Sequence, residues 1–242
     1  MWGIFINGLF CSTYHPANYA TLMEYLPFSS ANYEVFVKAE EIERELRPYL
    51  GEESGPEGLF AQLEAYLTLL VKWNARTNLT AIREPAEMVR RHFGESLFAA
   101  RQLGGASLGQ GTLLDFGSGA GFPGLPVQLW WPKLEVTLAE SQNKKATFLR
   151  EVVRTLGLKT EVWAARVETM PSARLFDVVA MRAVDDMGVA VPAAMERVGA
   201  GGRLMMLTTG RMAGDCPVEF SVEGEISIPG AADQVVRVMR RG

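Results

Sequence analysis

The segment LLDFGSGAGFPGLPV, at residues 113–127, constrains the fold of this chain more than any other part of the sequence. Four glycines within eight residues follow a short apolar run, and a second apolar stretch follows the glycines. A strand, a glycine turn and a helix in this order place backbone N–H groups at the carboxyl end of a sheet, where such folds bind ligands. The segment therefore predicts a ligand-binding turn.

Strand and helix patterns alternate after this segment begins. The predicted strands cover 112–116, 134–139, 160–164, 176–181 and 203–208, and an antiparallel pair covers 218–228 and 235–239. The predicted helices cover 123–131, 143–156 and 185–198. This alternation predicts an α/β fold with a doubly wound, mainly parallel seven-stranded sheet.

The chain before the glycine-rich segment has helical patterns at 36–50 and 59–74, with a third in VRRHFGESLFAARQL. Apolar residues of the second pattern recur at three- and four-residue steps, so one face should pack on the sheet. We divide the chain into an unassigned N-terminal extension at 1–35, a helical region at 36–111 and a sheet domain at 112–242.

Composition and charge restrict the class of protein. The chain has 242 residues and a net charge of -4, which argues against coating nucleic acid through bulk positive charge. Cys11 and Cys216 are too few for a disulfide framework or a zinc site. No apolar run is long enough to span a bilayer, and the N-terminal residues lack the positive charge of a signal peptide. We expect a cytoplasmic protein without a metal or a membrane anchor.

The glycine spacing fits a dinucleotide site. Gly119, Gly121 and Gly124 satisfy the G-x-G-x-x-G pattern, and Glu140 lies 21 positions after Gly119. That is the distance at which such folds place an acid for the ribose hydroxyls. An NAD-dependent oxidoreductase is therefore one interpretation.

The same loop also fits a methyl-donor site. Asp115 precedes Gly117 by two residues, and its carboxylate would repel a pyrophosphate but would suit a cationic ligand such as S-adenosylmethionine. With Gly119 and Gly121 these residues form D-x-G-x-G-x-G, the usual arrangement in methyltransferases. Glu140 can bind ribose hydroxyls in either fold, and Asp115 favours the methyl donor.

Five segments together resemble the RsmG (GidB) family of bacterial 16S ribosomal RNA guanine-N7 methyltransferases. The segments occur in the order and spacing of the family, and the resemblance covers roughly residues 59–208, with the C-terminal strands matching only in pattern. The segments are WNARTNLTAIREPAEMVRRHFGESL, LLDFGSGAGFPGLPV, TLAESQNKKATFLREVVRTLGL, ARVETM and FDVVAMRAV. The resemblance implies a Rossmann-like class I methyltransferase fold, with residues 112–242 as the S-adenosylmethionine-binding domain. It also implies methylation of guanine N7 in 16S rRNA, with the RNA or the small ribosomal subunit as partner of a monomeric enzyme.

The resemblance assigns the cofactor contacts position by position. Gly117, Phe122, Val167, Glu168 and Arg182 match cofactor-binding positions of the family. The acid for the ribose is Asp in many members, and here a Glu keeps the carboxylate. Adding the loop residues gives the full predicted cofactor set: Asp115, Gly117, Gly119, Gly121, Phe122, Glu140, Val167, Glu168 and Arg182.

Arg91, His92 and Arg182 are the predicted catalytic residues. Arg91, His92 and Ser96 match a family segment near the active site, and Asn78 and Thr80 are second-tier candidates. Without the resemblance, His92 reads as a helix-packing residue, and NLTAI as a turn with a helix cap. For Arg182 the alternative is a surface ion pair with a carboxylate of the following segment, either Asp185 or Asp186.

RNA contact is predicted from a helix in the sheet domain. Lys144, Lys145 and Arg150, with Arg154 near them, are the candidates for phosphate contacts. Further candidates are Arg90, Arg91, Arg237, Arg240 and Arg241. Thr208 stands near the point where the family usually carries Lys, so a non-catalytic RNA-binding or ribosome-assembly protein is a further alternative.

Overall fold

The computed structural model of this protein describes residues 37–104, 110–182, 187–210, 217–231 and 233–242. All elements named below belong to the unit Val35–Gly242. The predicted extension at 1–35 and the two carboxylates considered as partners of Arg182, Asp185 and Asp186, lie outside the described residues. The division into three parts therefore stays a prediction.

Seven strands form one sheet in the order β3-β2-β1-β4-β5-β7-β6. They are β1 Thr112–Phe116, β2 Glu135–Ala139, β3 Glu161–Trp163, β4 Phe176–Arg182, β5 Val198–Thr209, β6 Phe220–Ser227 and β7 Gln234–Arg241. Strand β7 runs antiparallel to both of its neighbours, β5 and β6. All neighbouring strands among β1 to β5 run parallel to each other. This arrangement confirms the predicted α/β class and the seven-stranded, mainly parallel sheet.

Helices precede the sheet and connect its strands. They are α1 Ala39–Leu50, α2 Leu59–Asn74, α3 Pro85–Met88, α4 Glu95–Gln102, α5 Gly124–Trp130, α6 Asn143–Thr155 and α7 Met187–Met195. A π-helical turn, Val89–Gly94, links α3 to α4, and a 3-10 turn, Val167–Thr169, follows β3. In the described part of the chain, no helix has both the length and the apolar character needed to cross a bilayer.

One element boundary differs clearly from the prediction. Strand β5 begins at Val198, whereas the sequence predicts a helix to 198 and a strand only from 203. The glycine-rich residues after Val198 suggest a break, but Val198 pairs with Phe176 across a register shift in β4. Backbone pairing with β4 therefore extends the strand through a segment of low strand propensity.

Apolar side chains cover both faces of the central sheet strands, as in doubly wound folds, whereas the edge strand β6 is largely exposed. Successive residues of β1 point to opposite faces, so Leu113 joins the core under α1, α2 and α5 while Leu114 joins the core under α7. The predicted apolar face of α2 is buried through Leu63, Tyr66 and Leu70. Helix α2 therefore packs against the sheet domain directly behind the glycine loop.

The start of α5 packs closely on β1 and β2. A Cβ atom built on Gly124 would lie 2.7 Å from the Oδ2 atom of Asp115 and 2.7 Å from the Cδ2 atom of Leu138. The Gly124 N–H donates to that same Oδ2 atom at 3.0 Å. Only glycine therefore lets the helix begin this close to the strands.

Replacing Gly124 by Ala should destabilise the protein, because the new methyl group must displace backbone or buried side chains. We expect Gly124→Ala to lower the free energy of unfolding by about 1–3 kcal/mol in urea denaturation followed by circular dichroism. Gly224→Ala is the control, since its Cβ would meet nothing within 4 Å, and it should not destabilise the protein. Equal stability of the two variants would contradict this account of the packing.

Candidate functional site

A cavity of about 630 Å³ lies at the carboxyl end of the sheet. The residues that follow β1, β2 and β3, the last residue of β4 and the chain between α2 and α4 form its walls. This volume is typical of small-molecule sites. The cavity brings together ten of the predicted site residues: Thr80, His92, Gly117, Gly119, Phe122, Glu140, Lys145, Val167, Glu168 and Arg182.

Glu140 directly follows β2 and is 6% exposed. Its Oε2 atom accepts the Gly119 N–H at 2.9 Å, and its Oε1 atom accepts the Gln142 N–H at 2.6 Å. The carboxylate thus ties the end of β2 to the glycine loop of the neighbouring strand. Each carboxylate oxygen has a second lone-pair site, so Glu140 can also accept hydroxyl donors from a molecule in the cavity.

The wall beyond Glu140 is formed by the 3-10 turn after β3. Val167 is buried and gives this wall an apolar surface, and Glu168 lies beside it as an exposed carboxylate. The carbonyl of Arg166 accepts from the Thr169 hydroxyl at 2.7 Å and from the Trp163 indole N–H at 3.2 Å. Both hydrogen bonds hold the turn in place next to the cavity.

His92 lies on the opposite side of the glycine loop, and both of its ring nitrogens are hydrogen-bonded. Nδ1 lies 3.1 Å from Nη1 of Arg182, and Nε2 lies 2.7 Å from the hydroxyl of Thr80. Because a guanidinium can only donate, Nδ1 is the acceptor and the ring proton sits on Nε2. Burial, with the charges of Arg182 and Arg91, lowers the pKa of His92 to about 3. The imidazole is therefore neutral near pH 7.

His92 is the outer ring of a stack of three aromatic side chains. The His92 ring lies 4.6 Å from the Phe122 ring at 18°, and Phe122 lies 5.4 Å from Tyr66 at 12°. Tyr66 is fully buried, and its hydroxyl donates to the carbonyl of Ala120 in the glycine loop. The stack therefore connects α2, the loop and the π-helical turn.

Glu95 at the start of α4 holds Arg182 at the end of β4. The Glu95 side chain is 0% exposed, and its Oε2 atom accepts from Nη2 of Arg182 at 2.6 Å. Its Oε1 atom accepts from Nε of Arg91 at 2.6 Å. The side-chain amide of Gln234, oriented with its nitrogen towards Glu95, also donates to this carboxylate. Burial raises the pKa of Glu95, while the charges of Arg182 and Arg91 oppose that rise.

The chain matches a known protein family over most of its length. The family model described as GidB, rRNA small subunit methyltransferase G, matches residues 59–216. This chain belongs to the GidB family. The cavity walls described above lie inside the matched range.

Curated members of the GidB family share substantial identity with the chain. The Ribosomal RNA small subunit methyltransferase G of Xylella fastidiosa (strain M23) is 49% identical over 124 residues, which cover 51% of this chain and 56% of that protein. The protein of the same name from Chloroflexus aggregans is 43% identical over 151 residues, covering 60% and 62%. The one from Xanthomonas campestris pv. campestris (strain B100) is 42% identical over 148 residues, covering 61% and 68%. The chain thus spans 56% to 62% of the length of the first two.

Solved structures with the same fold have low identity to the chain. A variant of MtNAS superposes with a TM-score of 0.51 at 16% identity, covering 84% of this chain and 86% of that one. P. horikoshii TYW2, solved in complex with MeSAdo, gives a TM-score of 0.50 at 17% identity, covering 62% of each chain.

The strand order distinguishes this sheet from that of dinucleotide-binding folds. The antiparallel strand β7 lies between β5 and β6 here, whereas dinucleotide-binding folds have the order 3-2-1-4-5-6.

Asp115 is not placed as the sequence argument expects. Its side chain is 0% exposed and does not line the cavity. Its Oδ2 atom accepts the Gly124 N–H, and burial raises the pKa of Asp115 to about 7. The prediction that the Asp115 carboxylate faces a cationic ligand is therefore wrong for this structure, because the side chain points under the loop towards α5.

Three more predicted residues, Gly121, Arg91 and Ser96, contact residues that form the cavity but do not line it themselves. A Cβ atom on Gly121 would lie 2.5 Å from the hydroxyl oxygen of Tyr66, so this glycine is needed for packing on α2. Arg91 bonds Glu95 and does not reach the cavity. Ser96 donates to the carbonyl of His92 at 2.6 Å, within the helix. For Gly121 and Arg91 this corrects the expected direct role.

The second-tier candidates separate in the same way. Thr80 lines the cavity and bonds His92, whereas Asn78 bonds the guanidinium of Arg83 at 2.9 Å and is not among the cavity residues. The alternative interpretation of Asn78 as a turn residue fits this position. For Thr80 the structure favours a place in the site.

The residues predicted to contact RNA differ in their surroundings. Lys145 lines the cavity, and Lys144 and Arg150 are exposed on α6. The arginines proposed to extend this surface already make intramolecular contacts. Arg90 pairs with Glu45, Arg91 with Glu95, Arg237 with Glu225 and Arg240 with Glu223, while Arg241 donates to the carbonyl of Val198.

Sequence reasoning missed Glu95 and Arg166. Glu95 follows Arg91 by four residues and is the one charged residue of the mainly apolar stretch FGESLFAA at 93–100, all of which is buried. A carboxylate in such a stretch, one helical turn after an arginine, is a signal for a buried ion pair. Arg166 lines the cavity directly before Val167. Its position directly before Val167 and Glu168, two predicted cofactor residues, was the sequence signal that could have identified it.

Removing the Glu95 carboxylate should leave Arg182 buried without a counter-ion. We expect Glu95→Ala to lower the free energy of unfolding by about 3–5 kcal/mol, measured by urea denaturation. The control is Glu41→Ala, which breaks an exposed pair with Arg44 and should cost about 0–1 kcal/mol. A cost below about 1 kcal/mol at Glu95 would show that the buried pair does not hold this region together.

Proposed function

We propose that this chain is an S-adenosylmethionine-dependent methyltransferase that methylates N7 of guanine in 16S ribosomal RNA of the small subunit. The observation that carries the proposal is a cavity of suitable size inside the region matched by the GidB model, with Glu140 beside the glycine loop. We further propose that it acts as a monomer in the cytoplasm and without a metal.

The residues around the glycine loop fit S-adenosylmethionine. Gly117 and Gly119 leave the loop backbone open towards the cavity, since a Cβ atom on Gly119 would meet only the Gly117 carbonyl, at 3.9 Å. Glu140 would accept the ribose hydroxyls, and Val167 would cover one face of the adenine. Glu168 would lie at the polar edge of that base.

The work left to the protein is mainly positioning. When bound, S-adenosylmethionine supplies an activated methyl group, which the lone pair of guanine N7 takes while the bonding electrons remain on sulfur and the positive charge passes to the base. N7 carries no proton, so no side chain has to act as a general base. Thr80, His92 and Arg182 would hold the acceptor base in line, and orientation of this kind supplies much of the rate gain.

RNA would reach the cavity past a group of basic side chains. Lys145 and Arg166 line the cavity itself, and Lys144 and Arg150 lie exposed on the same helix as Lys145. Phosphate contacts from such residues supply affinity that does not depend on sequence. The negative net charge of the chain means that this local group has to provide the attraction.

Loss of the Glu140 carboxylate should weaken cofactor binding. We expect calorimetry to show S-adenosylmethionine binding to the full chain, reduced about 10- to 100-fold by Glu140→Ala through lost charge-assisted hydrogen bonds. Glu135→Ala is the matched control, because Glu135 is exposed at the other end of the same strand. It should bind the cofactor like the unmodified protein.

Transfer of a tritiated methyl group to small-subunit RNA, naked and in the particle, tests the activity itself. Label recovered as 7-methylguanine at one position of 16S rRNA is the expected result. Cofactor binding without transfer would favour the non-catalytic RNA-binding alternative that Thr208 suggests. Binding of NAD with no response to S-adenosylmethionine would contradict the proposal.

A further inference from the structure

The cavity has two halves, one on each side of the glycine loop. Strand β1 lies between β2 and β4 in the sheet, so Glu140 at the end of β2 and Arg182 at the end of β4 lie on opposite sides of the loop. The half around Glu140 and Val167 fits the adenosine of the methyl donor. The other half, walled by Thr80, His92 and Arg182, is left for the methyl acceptor.

Within the acceptor half, the His92 ring presents a surface to a ligand but no free nitrogen. Thr80 and Arg182 occupy both ring nitrogens, and Phe122 covers one ring face at 4.6 Å. His92 nevertheless lines the cavity, so what the ring has left to offer a ligand there is its second face or its C–H edge. Because the ring is fixed at three points, this surface is rigid.

The His92 ring is neutral, although two guanidiniums share one carboxylate beside it. Arg182 is only 13% exposed, and it pairs at 2.6 Å with the fully buried Glu95, which also pairs with Arg91. The two hydrogen bonds of His92 require one donor and one acceptor nitrogen, which is the neutral form of the ring. A neutral aromatic face attracts a cation, whereas a protonated imidazole would repel one.

We propose that the target guanine stacks on the free face of His92 and extends the Tyr66–Phe122–His92 stack into the cavity. This inference rests on the proposed function, since methylation at N7 turns the base into a cation that a neutral ring face stabilises. Stacking of a base on an aromatic side chain typically changes binding about 5- to 150-fold. His92 would thereby bind and orient the base without exchanging a proton with it.

Three substitutions of His92 separate stacking from hydrogen bonding. His92→Phe keeps an aromatic face and loses both nitrogens, His92→Leu loses the face and the nitrogens, and His92→Gln keeps polar atoms without a ring. Stacking predicts that the Leu and Gln variants raise the KM for small-subunit RNA about 5- to 150-fold, while the Phe variant loses less than 5-fold. Similar losses in the Phe and Leu variants, a retained Gln variant, or no loss in any variant would overturn the proposal. Thermal unfolding and S-adenosylmethionine binding of each variant show whether the fold and the donor half are intact.

A second measurement does not depend on activity. 7-Methylguanosine 5′-monophosphate is titrated into each protein saturated with S-adenosylhomocysteine, and calorimetry measures the affinity. We expect the unmodified protein and the Phe variant to bind it at least 5-fold more tightly than the Leu variant. If the unmodified protein transfers no methyl group but shows this order, the proposed function fails and the stacking face stands. Equal affinities, or no binding by the unmodified protein, would overturn the stacking proposal.

Discussion

The buried ion pair between Glu95 and Arg182 is the interaction on which the site depends. It joins the start of α4 to the last residue of β4, two elements 87 residues apart in the chain. Without the carboxylate, Arg182 would be a buried charge with no counter-ion and could not hold Nδ1 of His92 in place. The pair therefore supports one of the three contacts that fix His92, and with it a wall of the acceptor half of the cavity.

A second set of contacts places the glycine loop between the two halves. Tyr66 supports the loop from α2, Asp115 accepts the first N–H of α5, and Glu140 accepts the N–H of Gly119. None of these groups is replaceable by an apolar side chain without leaving a backbone or hydroxyl group unpaired. The loop is therefore held by contacts within the protein, which lowers the cost of ordering it when a ligand binds.

The sequence predicts the architecture better than the orientation of individual side chains. Sequence patterns locate all seven strands: the buried strands are short apolar runs bounded by polar turns, and the exposed edge strand β6 is found through its alternation of apolar and polar residues. Spacing in the loop cannot tell whether a side chain faces the ligand or the helix behind it, and Asp115 and Gly121 face the helices. The pairing of Glu95 with Arg182 could not be predicted from the sequence, since it is a contact between segments 87 residues apart. Cavity residues carried over from the family resemblance, such as Val167 and Glu168, lie together as expected.

The central claim is that His92 faces the methyl acceptor as a neutral ring and adds no positive charge to the charge carried by the methyl donor. Burial and the charges of Arg182 and Arg91 lower the pKa of His92 to about 3, so its ring stays neutral as pH falls from 8 to 5. Nitrogen-15 NMR of the imidazole rings tests this directly, because the chain has only two histidines and His15→Gln assigns the signal of His92. We predict the neutral Nε2–H tautomer throughout this range, and a titration with a midpoint between pH 6 and 7 would contradict the account.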